Sequence, residues 1–401
     1  MSALSAIRVL ELTEGVAGEY CGKLLADFGA EVIKLENPDG GSPTRRMGPF
    51  SGSGEGTESS GEGTENSGLF AYLNTNKCSV ALDVATASGA QTLKQLLGKV
   101  DVVISDHPDG WLREHGLDVD SVENAFPGLI VCSITPYGLS DGEEPVPAED
   151  INVFHSSGWG YHTPTGADPA RAPLSGPGRF MVSYESGLDA ALCIVASLYD
   201  KEESGQGQFI DLSKQMVMAS RTDYVLDQMI AGDMPVSMER TAFDLAGPAG
   251  IFPCSDGYIY LWMSAPSHWE AVSEILGAPE WMKAFPGDWL EKGCTPERVA
   301  ECRGHLVEFL KTQNKVDISA QAQKLGLTMV PVNNAGDLIE SSQYQFRGFF
   351  AELEHPVLGK TLYPTVPYQL SETPAQLTSP APLLGQHTAQ QLSALNSGGE
   401  A

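Results

Sequence analysis

Between Arg8 and Glu36 the apolar positions change period twice, and those changes define the first unit of the fold. Val9, Leu10 and Leu12 form a short apolar run, the pattern of a buried strand. Cys21, Leu24, Leu25 and Phe28 then recur at i, i+3, i+4 and i+7, the stripe of a helix packed on a sheet, and Gly29 stands where that helix would end. Val32, Ile33 and Leu35 make the next strand. Strand, helix and strand in such close order predict a parallel pair with a right-handed crossover, hence a Rossmann-like α/β core. The turn Thr13-Glu14-Gly15-Val16-Ala17-Gly18 lies at the carboxyl end of the first strand, where open α/β sheets bind ligands. It lacks the spaced glycines of a dinucleotide fingerprint, which argues against NAD or FAD.

The pattern repeats downstream. Strands are expected at Val80–Leu82, Val102–Ile104 and Leu129–Ile134, with a helix over Gly89–Leu97, and αβ repeats of about thirty residues suit a doubly wound sheet. A long apolar helix runs from Ser186 to Tyr199, and Gly205-Gln206-Gly207-Gln208 turns it into a strand at Phe209–Leu212. Residues 51–68 are low-complexity Gly, Ser, Glu and Thr, unable to bury apolar surface, and read as a mobile surface insertion. From Asp223 the pattern changes to a hairpin around Ser255-Asp256-Gly257 and helices rich in Trp and Leu (Trp269–Leu276, Arg298–Thr312, Ile318–Leu325). Met329–Val332 reads as a strand returning to the first domain. The expected division is 1–222 (first part of the large domain), 223–328 (smaller α+β domain) and 329–401 (return and tail, ending in a short helix and a disordered SGGEA).

Composition narrows the function. The 401 residues, 42% hydrophobic, suffice for two cores. No apolar run reaches membrane-spanning length and no signal pattern opens the chain, so a soluble cytoplasmic protein is expected. A formal charge of −28 argues against nucleic acid and anionic membranes, which require a basic footprint, and fits solubility or a salty habitat. The seven cysteines form no CxxC pair, so neither a disulfide framework nor a zinc site is expected, and they read as reduced and mostly buried.

Several stretches together resemble the class III coenzyme A transferases, the formyl-CoA and carnitine-CoA transferase family that includes the α-methylacyl-CoA racemases. They are VLELTEGVAGEYCGKLLADFGAEVIKLE with SPTRRMGP, NTNKCSVALDV, GLIVCSITPYG, GQGQFIDLS after a long helix, IFPCSDGYIYL and APLLGQHT. The resemblance implies a large Rossmann-like domain built from both chain ends, a smaller domain between, and two chains threaded through each other as interlocked rings. It implies acyl-CoA and a small carboxylic acid as substrates, no metal, and CoA lying near Gly15, Val16, Ala17 and Leu82. In that family an aspartate before the long helix attacks the donor thioester and carries CoA as an aspartyl thioester through mixed anhydrides.

Here the chain departs from the pattern. The aspartate's position falls on Ser183, and a hydroxyl has no acyl carbon on which CoA could ride. Glu185 supplies a carboxylate if the backbone path shifts, or is a solvated or capping residue. Glu149 stands where a racemase has its base histidine or a formyl-CoA transferase its tyrosine; Asp150 matches the acidic neighbour or is a turn or cap. Racemisation needs a base pair that these positions do not show. Asn37, Ala85, Glu114 and Pro147 occupy positions of the basic CoA contacts, leaving Arg45, Arg46, Lys77 and Arg113 as possible substitutes. Two readings follow: the subunit without the catalytic aspartate, paired with a homologous Asp-bearing chain in a heteromeric transferase, or an active homodimer with a displaced carboxylate. A binding module unrelated to CoA is a third.

Overall fold

The computed structural model describes residues 2–51, 65–139, 146, 148–162, 176, 178–222, 230–232 and 247–397. The chain divides into two compact units, Met1–Arg240 with Gly348–Ala401, and Thr241–Arg347. In the first, β1 (Arg8–Leu12), β2 (Glu31–Glu36), β3 (Cys78–Ala81), β4 (Val102–Ser105), β5 (Ile130–Thr135) and β6 (Phe209–Ser213) form one sheet in the order β3-β2-β1-β4-β5-β6. Every neighbouring pair is parallel. Its helices are α1 (Val16–Asp27), α2 (Gly68–Leu73), α3 (Ala87–Leu97), α4 (Asp109–Glu114), α5 (Val119–Ala125), α6 (Asp150–Ser156), α7 (Trp159–His162), α8 (Met181–Ser204) and α9 (Lys214–Ala219).

Side chains alternate along a strand, so a sheet covered on both faces needs two cores. Val9, Val32, Val102 and Ile130 meet Leu24 and Leu25 of α1 and Ile194 and Leu198 of α8 on one face. Leu10, Ile33, Val80, Val103 and Val131 meet Leu93, Leu96 and Leu97 of α3 on the other. The strand order reverses direction between β1 and β4, which opens a crevice at their carboxyl ends.

Contrary to the expectation from apolar runs, α8 is long and apolar enough, by length and composition, to cross a membrane. Here it is a core helix, with Val182, Ser186, Gly187, Ala190, Ala191 and Ile194 buried. A Cβ on Gly187 would stand 2.5 Å from the Ala17 carbonyl oxygen, so α1 and α8 approach this closely only because the residue is glycine. Of the cysteines, Cys21, Cys132 and Cys302 are buried and the other four partly exposed; none is paired.

Beside β1, β2 and β3 the first unit also buries charge. The Lys34 ammonium donates to Glu11 Oε1 at 2.9 Å and to the Thr13 carbonyl at 3.0 Å, and lies 3.0 Å from Glu19 Oε1. Lys77 donates to Glu11 Oε2 at 2.7 Å, the Glu19 carbonyl at 2.7 Å and Asn74 Oδ1 at 2.9 Å. Burial alone would push the Lys34 ammonium down, yet Glu19 and Glu11 hold it above its ordinary value. Glu36 is also buried, but the Arg45 fork at 2.7 and 2.8 Å and the Lys34 charge bring its carboxyl down to about 2.

The C-terminal segment completes this unit. A hairpin absent from the sequence-based expectation, β10 (Phe350–His355) and β11 (Gly359–Pro364), precedes it. Asn76, in the left-handed conformation at φ 64°, accepts from the Thr378 and Ser379 amides at 2.8 and 3.0 Å. The Arg45 guanidinium reaches the Pro382 carbonyl at 3.1 Å, and Thr388 Oγ1 accepts from the Ala81 amide at 2.9 Å. Residues 398–401 of the expected disordered tail and 52–64 of the expected insertion lie outside the described residues. The insertion's last residues belong to the fold: Glu65 pairs with Arg45 at 2.7 Å, and Ser67 caps α2.

The second unit holds an antiparallel sheet of β7 (Gly250–Cys254), β8 (Gly257–Trp262) and β9 (Thr328–Val332). The strand expected to return to the first domain is β9, and it pairs with β8 inside the second unit instead. The return comes later, at Gly348. Helices Pro266–Leu276, Pro296–Leu310 and Lys315–Lys324 cover one sheet face around Trp269, Trp289, Leu306 and Leu310.

Replacing Lys34 by Met leaves the buried Glu19 carboxylate without its paired cation and Glu11 with Lys77 alone. The expected loss is about 3–5 kcal/mol of unfolding free energy in denaturant titration; a loss under about 1 kcal/mol would contradict the assigned role of this network.

Candidate functional site

The crevice at the sheet's switch point is built from the ends of β1, β2 and β3. Its cavity of about 230 Å³ is lined by Thr13 and Glu14 after β1, Asn37 after β2, Leu82 and Ala85 after β3, and His107 and Trp111 beyond β4. Asp106 fixes the turn: its carboxylate accepts from the Glu14 amide at 3.0 Å and from the Gly15 amide at 2.7 Å. From inside the fold, Lys34 grips the Thr13 carbonyl of the same turn. Val16 and Ala17 are buried in the first turn of α1, so of the three residues expected near a ligand, Gly15 and backbone groups are what the turn can present. Trp111 is sandwiched between His107 and His115, both stacked at 3.9 Å.

Two of the four basic residues expected as substitute phosphate contacts are excluded from that role. Arg45 and Lys77 are fully buried and committed to Glu36 and Glu11. Arg46 and Arg113 stay at the surface, Arg46 on the Gly40 carbonyl and Arg113 paired with Asp109 at 2.7 Å. Asn37 and Ala85 line the crevice, Glu114 lines the adjoining cavity, and Pro147 lies outside the described residues.

A second cluster forms where α6, α8 and α9 meet, beyond the carboxyl ends of β5 and β6. The helix expected from Ser186 begins at Met181, which puts Ser183 and Glu185 within its first turns instead of before it. Ser183 is 3% exposed. Its amide donates to Asp150 Oδ2 at 2.9 Å and its hydroxyl to Asp150 Oδ1 at 2.7 Å. Lys214 Nζ donates to Ser183 Oγ at 3.2 Å and lies 3.5 Å from Asp150 Oδ1. Asp150 is the first residue of α6 and cross-links it to the start of α8. Tyr184 follows, its hydroxyl pushed up by burial, edge-on to Tyr20 at 4.9 Å.

The structure thus brings Asp150 to Ser183. Glu185 is turned to Arg221, 3.0 Å away, and Glu149 is the N-cap of α6, its amide donating to Asn152 Oδ1 at 2.9 Å. Sequence reasoning missed Asp106, Trp111 and Lys214. Each follows a strand of the parallel sheet, and Lys214 follows β6 directly, so position at the sheet's carboxyl edge was the available signal.

The family model described as CoA-transferase family III matches residues 4–388. Succinyl-CoA:glutarate CoA-transferase of Mus musculus is 28% identical over 97% of this chain and 85% of its own length. The alpha subunit of succinyl-CoA–L-malate CoA-transferase of Chloroflexus aurantiacus is 26% identical over 97% of this chain and 88% of its own. The crystal structure of a CAIB/BAIF family protein from Brucella suis superposes with a TM-score of 0.80 at 26% identity, over 98% of this chain and 99% of that one.

Asp106→Ala removes a charged acceptor from two backbone amides of the β1–α1 turn. Denaturant titration is expected to show a loss of about 1.5–3 kcal/mol, with Asp106→Asn retaining part of it. A change within about 0.5 kcal/mol for Asp106→Ala would contradict the turn's dependence on this carboxylate.

Proposed function

The chain belongs to CoA-transferase family III, and from that membership we propose that it acts in CoA transfer between an acyl-CoA donor and an organic acid as the subunit without the carrier carboxylate. What supports this reading is a hydroxyl, that of Ser183, where the resemblance puts the carrier aspartate, with the neighbouring carboxylates already engaged. A transferase of this kind needs a carboxyl carbon that becomes in turn anhydride and thioester. Asp150 holds three donors, the Ser183 amide, the Ser183 hydroxyl and Lys214, and Glu185 holds Arg221. Neither carboxylate is left free beside the carrier position.

The companion would be a homologous chain that carries the aspartate, interlocked with this one. The Chloroflexus aurantiacus relative is named as one subunit of a transferase, which supports pairing of unlike chains. Exposed apolar side chains on α8, Leu192 at 67% and Tyr199 at 73%, support contact with a second chain. The crevice beside Gly15 and Leu82 is where acyl-CoA would lie, with Asn37 and Ala85 in place of cations. With Glu149 and Ser183 at the positions of a racemase's paired groups, proton exchange at an α-carbon has no base pair to use. The displaced-carboxylate reading has one observation in its favour, the 2.7 Å approach of Asp150 to Ser183 Oγ.

Intact-mass analysis after incubation with succinyl-CoA, with and without hydroxylamine, separates the two. No adduct of CoA mass is expected on this chain. A hydroxylamine-sensitive CoA adduct mapped to the Asp150 or Glu185 peptide would overturn the subunit reading.

A further inference from the structure

We propose that Ser183 is an acyl acceptor and that this chain hydrolyses acyl-CoA through a seryl ester, with Asp150 as the general base and Lys214 as its charged neighbour. The inference rests on the reading of the crevice as a CoA-thioester site and adds an activity to it.

The serine is placed unlike its neighbour on the same helix. Ser186 returns its hydroxyl to the Val182 carbonyl at 2.7 Å, the ordinary back-bond of a helical serine. Ser183 instead reaches across to α6, its amide and hydroxyl clamped on the two oxygens of one carboxylate. A nucleophile within hydrogen-bond reach of a base, with that base oriented by a third group, is the arrangement that activates a hydroxyl. Here the base is Asp150 at 2.7 Å, and the third group is Lys214, which touches both partners at 3.2 and 3.5 Å. Ser183 is itself 3% exposed, and the partly exposed side of the cluster is the one formed by Asp150 and Lys214, which keep 14% and 15% of their side-chain exposure. Asp150 opens the helix that follows β5 in the described chain, and Lys214 directly follows β6. The cluster therefore belongs to the same carboxyl edge of the sheet as the crevice.

The chemistry balances with water as the co-substrate. Ser183 Oγ attacks the thioester carbonyl carbon and its proton passes to Asp150; the carbon–sulfur bond breaks, and the CoA thiolate leaves with that proton as the free thiol. Water then attacks the ester carbonyl and gives a proton to Asp150, and the Ser183 oxygen departs and recovers that proton. The products are the free acid and CoA. The Lys214 ammonium offsets the charge that develops on the oxygens during both steps. An ester on serine is spent on water because a carboxylate acceptor cannot displace an alcohol without forming a higher-energy anhydride. The loss of the carrier carboxylate therefore ends transfer but leaves hydrolysis open.

The test follows thiol release from succinyl-CoA by the full chain, with intact-mass analysis of acid-quenched samples. The wild-type chain is expected to release thiol continuously and to show an adduct of the acyl mass alone on the peptide containing Ser183. Ser183→Ala is expected to abolish the adduct and bring release down to the buffer rate, and Asp150→Asn to slow it by about a hundredfold. CoA binding measured by calorimetry is expected to remain in both variants. Wild-type release no faster than buffer overturns the proposal, as does Ser183→Ala or Asp150→Asn working at the wild-type rate; the Asp150→Asn result decides alone if Ser183→Ala does not fold. Failure of the underlying reading is seen separately, as absence of CoA binding by the wild-type chain.

Discussion

Lys34 and Lys77 share Glu11 between them without access to water, and the geometry of the ligand-facing edge follows from that arrangement. Glu11 sits on β1, Lys34 on β2, Glu19 on α1 and Lys77 just before β3, so the four charges tie together the elements that converge on the crevice. In a low-dielectric interior such a set is stable only when every donor and acceptor is met. Here Asn74, the Glu19 carbonyl and the Thr13 carbonyl complete it. Because the Thr13 carbonyl is one of those acceptors, the β1–α1 turn is held from inside the protein by Lys34 and from the crevice side by Asp106. The network removes Lys77 from the surface and Glu36 does the same to Arg45, so the crevice is poor in cations even though basic residues stand near it in sequence.

The start of α8 is the second fixed point. Gly187 lets the helix lie against the Ala17 carbonyl in the first turn of α1, and Asp150 ties its first turn to α6. By the resemblance, a carboxyl carbon would stand at this place, and this chain offers a hydroxyl held between a carboxylate and an ammonium. In the hydrolysis proposed above, the hydroxyl would carry the acyl group where a carboxyl carbon would carry CoA.

Much of the fold was legible because its signals are local and periodic. The β1–α1–β2 unit was readable from Val9 to Leu35 by the change from a strand run to a helix stripe and back, and the doubly wound sheet followed from its repetition. The start of α8 was read too late because Met181–Glu185 is polar where it faces Asp150 and Lys214, and a polar first turn does not register as part of an apolar stripe. The assignment of β9 failed because strand pairing is a non-local choice. Thr328–Val332 has the composition of a strand for either unit, and only its register with β8 decides. For the candidate site, the motif series pointed to Ser183 and Asp150 but could not say that they touch, and Lys214 carried no motif at all. Arg45 and Lys77 were read as possible substitute CoA contacts because burial of a lysine or arginine depends on partners that lie far away in sequence, such as Glu36 and Glu11.

On the proposed function, one side chain, Ser183, separates this chain from a carrier of CoA. The most direct measurement is exchange of isotopically labelled succinate into succinyl-CoA, catalysed by the wild-type chain and by Ser183→Asp. No exchange above background is expected for the wild type and a gain of at least about a hundredfold for Ser183→Asp, since the variant restores the carboxyl carbon that the covalent route requires. Exchange by the wild-type chain at the rate of the variant would contradict it.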